Sequence, residues 1–181
     1  MRYLITILVL VPILAIAETT GFGLLRSEVI STPQGQVTET EWQHVDASGQ
    51  AFGLHRYQLA DAVTIATLLY LPGTNMNGVL KTADSDHNLW LYLAERGIEV
   101  YAMDYRTRYI PHDFTGDLAL MRDWSMDLFV EDAVLAVTKV QKEQPLVPMY
   151  IAGFSRGAAF AYGLAGQVEA AGLVALDGSF K

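Results

Sequence analysis

Residues Pro148–Leu164 read PMYIAGFSRGAAFAYGL. The apolar run Met149–Ala152 predicts a short buried strand, and the small-residue run Ala158–Tyr162 predicts a helix. Between them Gly153-Phe154-Ser155-Arg156-Gly157 makes a sharp turn. A serine at the apex of such a strand–turn–helix sits in strained backbone, with its hydroxyl pushed out above the end of the sheet. Gly153 and Gly157, two before and two after, leave room for strand and helix to approach. The residue after the serine, Arg156, begins the helix, so its N–H faces any negative charge that forms nearby. The plainer alternative is a glycine-rich turn carrying an ordinary serine. The flanking strand and helix are the context that favours the first reading.

The chain has 181 residues and 51% hydrophobic content, enough for one domain with a sizeable core. Its formal net charge is −8. Nothing gathers Lys and Arg into a patch, which argues against nucleic acid as a partner. There is no cysteine, which excludes disulfides, thiol chemistry and a lipoprotein anchor. Met1-Arg2, an apolar run from Tyr3 to Leu14 and then Ala15-Ile16-Ala17 form the pattern of a secretory signal peptide, residues 1–17, cut before Glu18. That predicts export to a periplasm or the exterior. An uncleaved N-terminal membrane anchor is the alternative, and is the one membrane contact expected.

Residues 18–36 read as an approach segment of poor periodicity, and 37–181 as the folded domain. Val37–Val45 and Ala51–Leu59 alternate as two strands around the turn Asp46–Gly49, a β-hairpin. His44 and His55 lie in it and read as surface or cross-strand residues. Val63–Leu71 is nearly continuous apolar sequence, a strand buried on both faces. It runs into Pro72-Gly73-Thr74-Asn75. Asp84 or Ser85 is placed to cap a helix reaching about Arg96, with Leu89, Trp90, Leu93 and Ala94 inward and Gly97 to end it. Ile98–Met103 is the next strand and leads into Asp104-Tyr105-Arg106, whose charges read as braces for the following loop. Ser125–Glu143 is an amphipathic helix stopped by Pro145. After the serine turn and its helix, Gly172–Leu176 is one more buried strand, ending in Asp177-Gly178.

The GFSRG turn in this strand-and-helix order resembles the nucleophile elbow of the α/β-hydrolase superfamily. The resemblance covers roughly residues 37–178. It implies an α/β fold: a three-layer α/β/α arrangement with a mostly parallel sheet and an N-terminal antiparallel hairpin, incomplete relative to the family. It further implies a serine esterase or lipase-like enzyme that needs no cofactor or metal and takes a small-molecule or lipid acyl substrate. By family position Ser155 is the nucleophile. Thr74 and Arg156 supply the oxyanion-hole N–H groups, with Asn75 as the alternative to Thr74, because Pro72-Gly73 stands where members usually carry His-Gly. Gly153 and Gly157 shape the elbow. Asp177 stands where a minority of lipase-like members carry the catalytic acid, though such aspartates more often serve turns.

The family's order is serine, acid, histidine. His44, His55, His87 and His112 all precede Ser155, so none fits by chain order. The expectation is therefore an N-terminal fragment of a longer hydrolase, nearly inactive alone. A serine-elbow acyltransferase and a non-catalytic binding protein of the same fold are the competing classes.

Overall fold

The computed structural model describes residues 21–80 and 87–178. The predicted signal peptide and the predicted caps Asp84 and Ser85 lie outside those residues. Within them the order is β1 (Phe22–Thr32), β2 (Gly35–Val45), β3 (Ala51–Leu59), β4 (Ala66–Leu71), α1 (Leu89–Ala94), β5 (Ile98–Asp104), α2 (Met126–Glu143), β6 (Met149–Phe154), α3 (Arg156–Ala165) and β7 (Gly172–Leu176). Short 3-10 turns at Arg106–Tyr109 and Leu118–Met121 interrupt the long connection from β5 to α2.

All seven strands join one sheet in the order β1-β2-β3-β5-β4-β6-β7. β5, β4, β6 and β7 pair in parallel, while β1, β2 and β3 pair antiparallel with each other and β3 with β5. The mostly parallel sheet with an antiparallel N-terminal part is as expected. Strand β1 is a correction, since the approach segment predicted over 18–36 forms a full strand. Its residues are nearly all exposed. A ribbon wet on both faces needs no alternation of apolar and polar residues, so the period that announces a half-buried strand is missing.

Successive residues of the central strands feed opposite cores, as the two-residue period of a strand requires. Leu69, Leu71, Tyr101, Met103 and Ile151 face one side, where Phe129, Ala133 and Val137 of α2 and Phe160 and Leu164 of α3 cover them. Tyr70, Val100, Ala102 and Ala152 face the other, under Trp90, Leu91 and Ala94 of α1. This double burial explains the continuous apolar runs in β4 and β5. Strand β4 begins at Ala66 rather than Val63, which is 83% exposed. Helix α1 is capped by Asn88, whose side chain accepts from the Trp90 and Leu91 N–H groups. It buries Leu91 and leaves Leu89 exposed, the reverse of the expected face at those two positions. Strand β7 is a second correction: it is an edge strand with Val174 41% and Leu176 36% exposed, not a buried one.

Asp104 and Arg106 brace the structure, but not by pairing with each other. Arg106 Nε donates to Asp132 Oδ2 at 2.7 Å and Nη2 to Asp132 Oδ1 at 2.8 Å, a two-pronged pair between the β5 loop and α2. Its Nη1 also donates to Asp46 in the β2–β3 turn. Arg106 and Asp132 are 4% and 2% exposed. Removing one member of a buried pair leaves its partner's charge uncompensated. We expect Asp132→Ala or Arg106→Ala to lower unfolding free energy by about 3–5 kcal/mol. Removing Glu28, which touches Arg26 on the exposed ribbon, should change it by no more than about 1 kcal/mol. Urea unfolding midpoints check both.

Candidate active site

Ser155 has φ 52° and ψ −116°, a conformation non-glycine residues rarely hold, and it is exposed. The strain is fixed by its surroundings. Its N–H donates to Leu176 O of β7 at 2.9 Å, and its carbonyl accepts from Ala158 N–H at 3.0 Å. Neighbouring backbones leave no space for side chains at the flanking glycines. A Cβ at Gly153 would stand 2.3 Å from Gly157 O, and one at Gly157 2.1 Å from Leu71 O. Among the described residues the Ser155 hydroxyl has no hydrogen-bond partner.

The loop after β4 comes to the same place. Gly73 O accepts from Met76 N–H at 3.2 Å, closing a tight turn in which Asn75 takes φ 59°. Tyr105 Oη donates to Pro72 O at 3.0 Å, and Gly78 N–H donates to Asp104 Oδ1 at 2.8 Å, so both ends of the loop are pinned. Gly73, Thr74, Asn75 and Arg156 together wall a small cavity of about 60 Å³, floored by Tyr105, Phe129 and Phe160. Among the described residues no hydrogen bond takes up the N–H of Thr74, Asn75 or Arg156. A trough of about 630 Å³ runs on from this cavity past Asn75 and Met76 to Thr107, Ile110 and His112. Asp177 ends β7 next to the elbow with φ 48°; it is exposed and hydrogen-bonds nothing described.

Met76 also borders the cavity. Phe154 packs against the core beneath α1, and Trp124 packs on Phe129 and donates from Nε1 to Gln50 Oε1.

Of the two readings for His55 the cross-strand one holds, but sequence reasoning missed the buried cluster around it, where His55 is 1% exposed. Its Nδ1 donates to Glu39 Oε1 at 3.1 Å and its Nε2 to Asp104 Oδ2 at 3.0 Å. Tyr57 Oη donates to the same Glu39 oxygen at 3.1 Å. Arg26 reaches Glu39 and Glu41, and Arg108 lies 3.6 Å from Asp104. Alternation gave no sign of this, because Glu39 and His55 lie on neighbouring strands and Asp104 comes from a third. Glu41, His55 and Asp104 offer ligand atoms within 4.8 Å of one another. They can hold a divalent cation only if Arg26 releases Glu41 and His55 gives up its proton. The three carboxylates already face three positive groups.

Burial alone would lower the His55 pKa, but hydrogen bonds to Asp104 and Glu39 outweigh it and push it up to about 9. The folded value lies above the ordinary 6.5. The cluster's contribution to stability is therefore complete below about pH 6.5 and fades as pH rises through about 9. We expect unfolding free energy to fall by on the order of 3 kcal/mol between pH 6.5 and pH 10. His55→Gln should flatten that part of the profile. Urea unfolding across the pH range checks it.

No protein-family model matches the sequence, and no curated protein matches it. Solved structures do. A candidate lipase of Sulfolobus solfataricus superposes with a TM-score of 0.71 at 23% identity, over 85% of this chain and 50% of its own. A highly thermostable carboxyl esterase of Bacillus coagulans gives 0.56 at 20% identity, over 76% and 43%. An α/β hydrolase of a Penicillium species gives 0.54 at 18%, over 77% and 46%. The chain thus spans about half the length of these solved proteins. Together with the strand order, they show that the chain has the α/β-hydrolase fold, in part.

Proposed function

We propose that this chain carries the nucleophile and oxyanion hole of a serine hydrolase that cleaves an ester or other acyl bond through an acyl-enzyme. One observation carries the reading. An exposed serine in strained backbone directly precedes Arg156, whose unpartnered N–H belongs to a residue that lines one cavity with Thr74 of a separate loop. The superposed esterase and lipase structures support it by fold.

In the first step Ser155 Oγ bonds to the acyl carbon while its proton passes to a histidine base. The Thr74 and Arg156 N–H groups hold the oxyanion that forms. Collapse breaks the bond to the leaving alcohol, which takes the proton from the base. Water, deprotonated by the same base, then releases the acid and returns the proton to Ser155. Asp177, on the strand bonded to the elbow, is the acid this chain offers to orient that base. The histidine itself is assigned to the half of the fold this chain does not span. On this reading residues 1–17 are a secretory leader and the protein is exported.

A fluorophosphonate probe tests the nucleophile. In the protein expressed from its full reading frame, the label is expected on the Ser155 peptide, and Ser155→Ala should abolish labelling and ester turnover. The 181-residue chain alone should turn over a short nitrophenyl ester at least about 100-fold more slowly, since loss of the base costs at least as much as loss of one oxyanion donor. Absence of label on the full protein would leave a non-catalytic member of the fold. Equal turnover by the short chain would overturn the assignment of the base. Secretion is checked by the intact mass of the mature protein, expected to begin at Glu18.

A further inference from the structure

Arg156 has a side chain as well as an N–H, and among the described residues no carboxylate neutralises its charge. Arg26, Arg56, Arg96, Arg106 and Arg108 each meet a carboxylate. Arg156 meets none among the described residues. Its guanidinium instead lies 5.3 Å from the centre of the Phe160 ring, one helical turn on. A cation over an aromatic face is held by the ring's negative π-surface, which fixes direction without neutralising charge. Both residues line the 60 Å³ cavity together with Thr74. The cavity is therefore apolar at its floor, where Tyr105 and Phe129 stand, and hydroxylated and cationic at its mouth, where Thr74, Thr107 and Arg156 stand.

An uncompensated guanidinium here runs against the charge of the chain. With a net charge of −8, the protein's overall field repels anions. Arg122, exposed on the connection from β5 to α2, also meets no carboxylate among the described residues, but it does not line this cavity, so position rather than the lack of a partner sets Arg156 apart. The planar fork of an arginine suits a carboxylate by two parallel hydrogen bonds. The size of the cavity limits what else enters. By the same measure one water needs about 10–15 Å³, so a space of about 60 Å³ takes a group the size of a few waters.

From these observations we infer that Arg156 selects acyl groups that carry their own carboxylate, namely short monoesters of dicarboxylic acids. The inference rests on Ser155 being the nucleophile. The acyl carbonyl sits at the Thr74 and Arg156 amides, and the remote carboxylate meets the Arg156 guanidinium with Thr107 beside it.

The test uses the full-reading-frame protein and two nitrophenyl esters of similar length, the hemisuccinate and the butyrate. The wild type should show a higher kcat/KM for the hemisuccinate. In Arg156→Met the ratio of the two kcat/KM values should fall roughly 10- to 100-fold, the worth of a charged hydrogen bond, and Arg156→Lys should recover part of it. Raising ionic strength should shrink the wild-type ratio and leave that of Arg156→Met flat. A ratio unchanged by Arg156→Met, with fluorophosphonate still labelling Ser155, overturns the role of Arg156 and leaves the nucleophile standing. If Ser155 takes no label and neither ester turns over, the hydrolase reading falls and this inference falls with it.

Discussion

The arrangement depends on one close approach: the first turn of α3 lies directly against the end of β4. Gly157 is the point of contact, where even a methyl group would collide with the Leu71 and Pro72 carbonyls. Gly153 makes the matching approach within the turn, against Gly157 and Ala158. Backbone packed on backbone at this density fixes relative positions far better than side chains do. Because the loop carrying Thr74 leaves β4 at Leu71, the same contact that strains Ser155 also sets that loop beside it. The strained φ of Ser155 and the placing of the Thr74 loop are one structural fact, held by two residues that have no side chains.

The loop needs a second anchor, and the Asp104 network supplies it. One oxygen of Asp104 accepts the Gly78 N–H, and the other holds the His55 ring. Trp90 of α1 donates its ring N–H to Gly78 O at 2.8 Å, tying the same residue to the helix layer. Gly78 fits here because its backbone lies against the Ala102 and Met103 carbonyls of β5. The hairpin, β5, the loop and α1 are therefore joined through one glycine. A charged cluster some distance along the sheet thus bears on where Thr74 stands.

The elements with strong local signals were legible in the sequence. Helix α2 begins after Ser125, whose hydroxyl accepts the Leu128 N–H at 3.2 Å, and ends at Glu143 just before Pro145. The hairpin and the GFSRG turn were legible for the same reason: period and turn chemistry act over a few residues. What failed to show was set by partners far apart in the chain. Strand β1 is held by hydrogen bonds to β2, by Arg26 reaching Glu39 and Glu41, and at its start by Phe22 in the core, but it has no alternating buried face. The depth of His55 depends on Asp104, 49 residues away. Arg106 was readable as a brace but its partner was not, because Asp132 lies on a helix that local pattern cannot dock. The position of Ser155 was legible, while the cavity at its side required the tertiary structure.

Strand β7 leaves one row of backbone N–H and C=O groups without a described neighbour, and the sheet face beneath α1 exposes Tyr150, Val174 and Leu176 around a cleft of about 310 Å³. Such a surface invites pairing with any passing strand. While the chain folds, that flank is apolar surface open to its neighbours. How briefly that flank stays bare then bears on yield in the cell, apart from the stability of the folded chain.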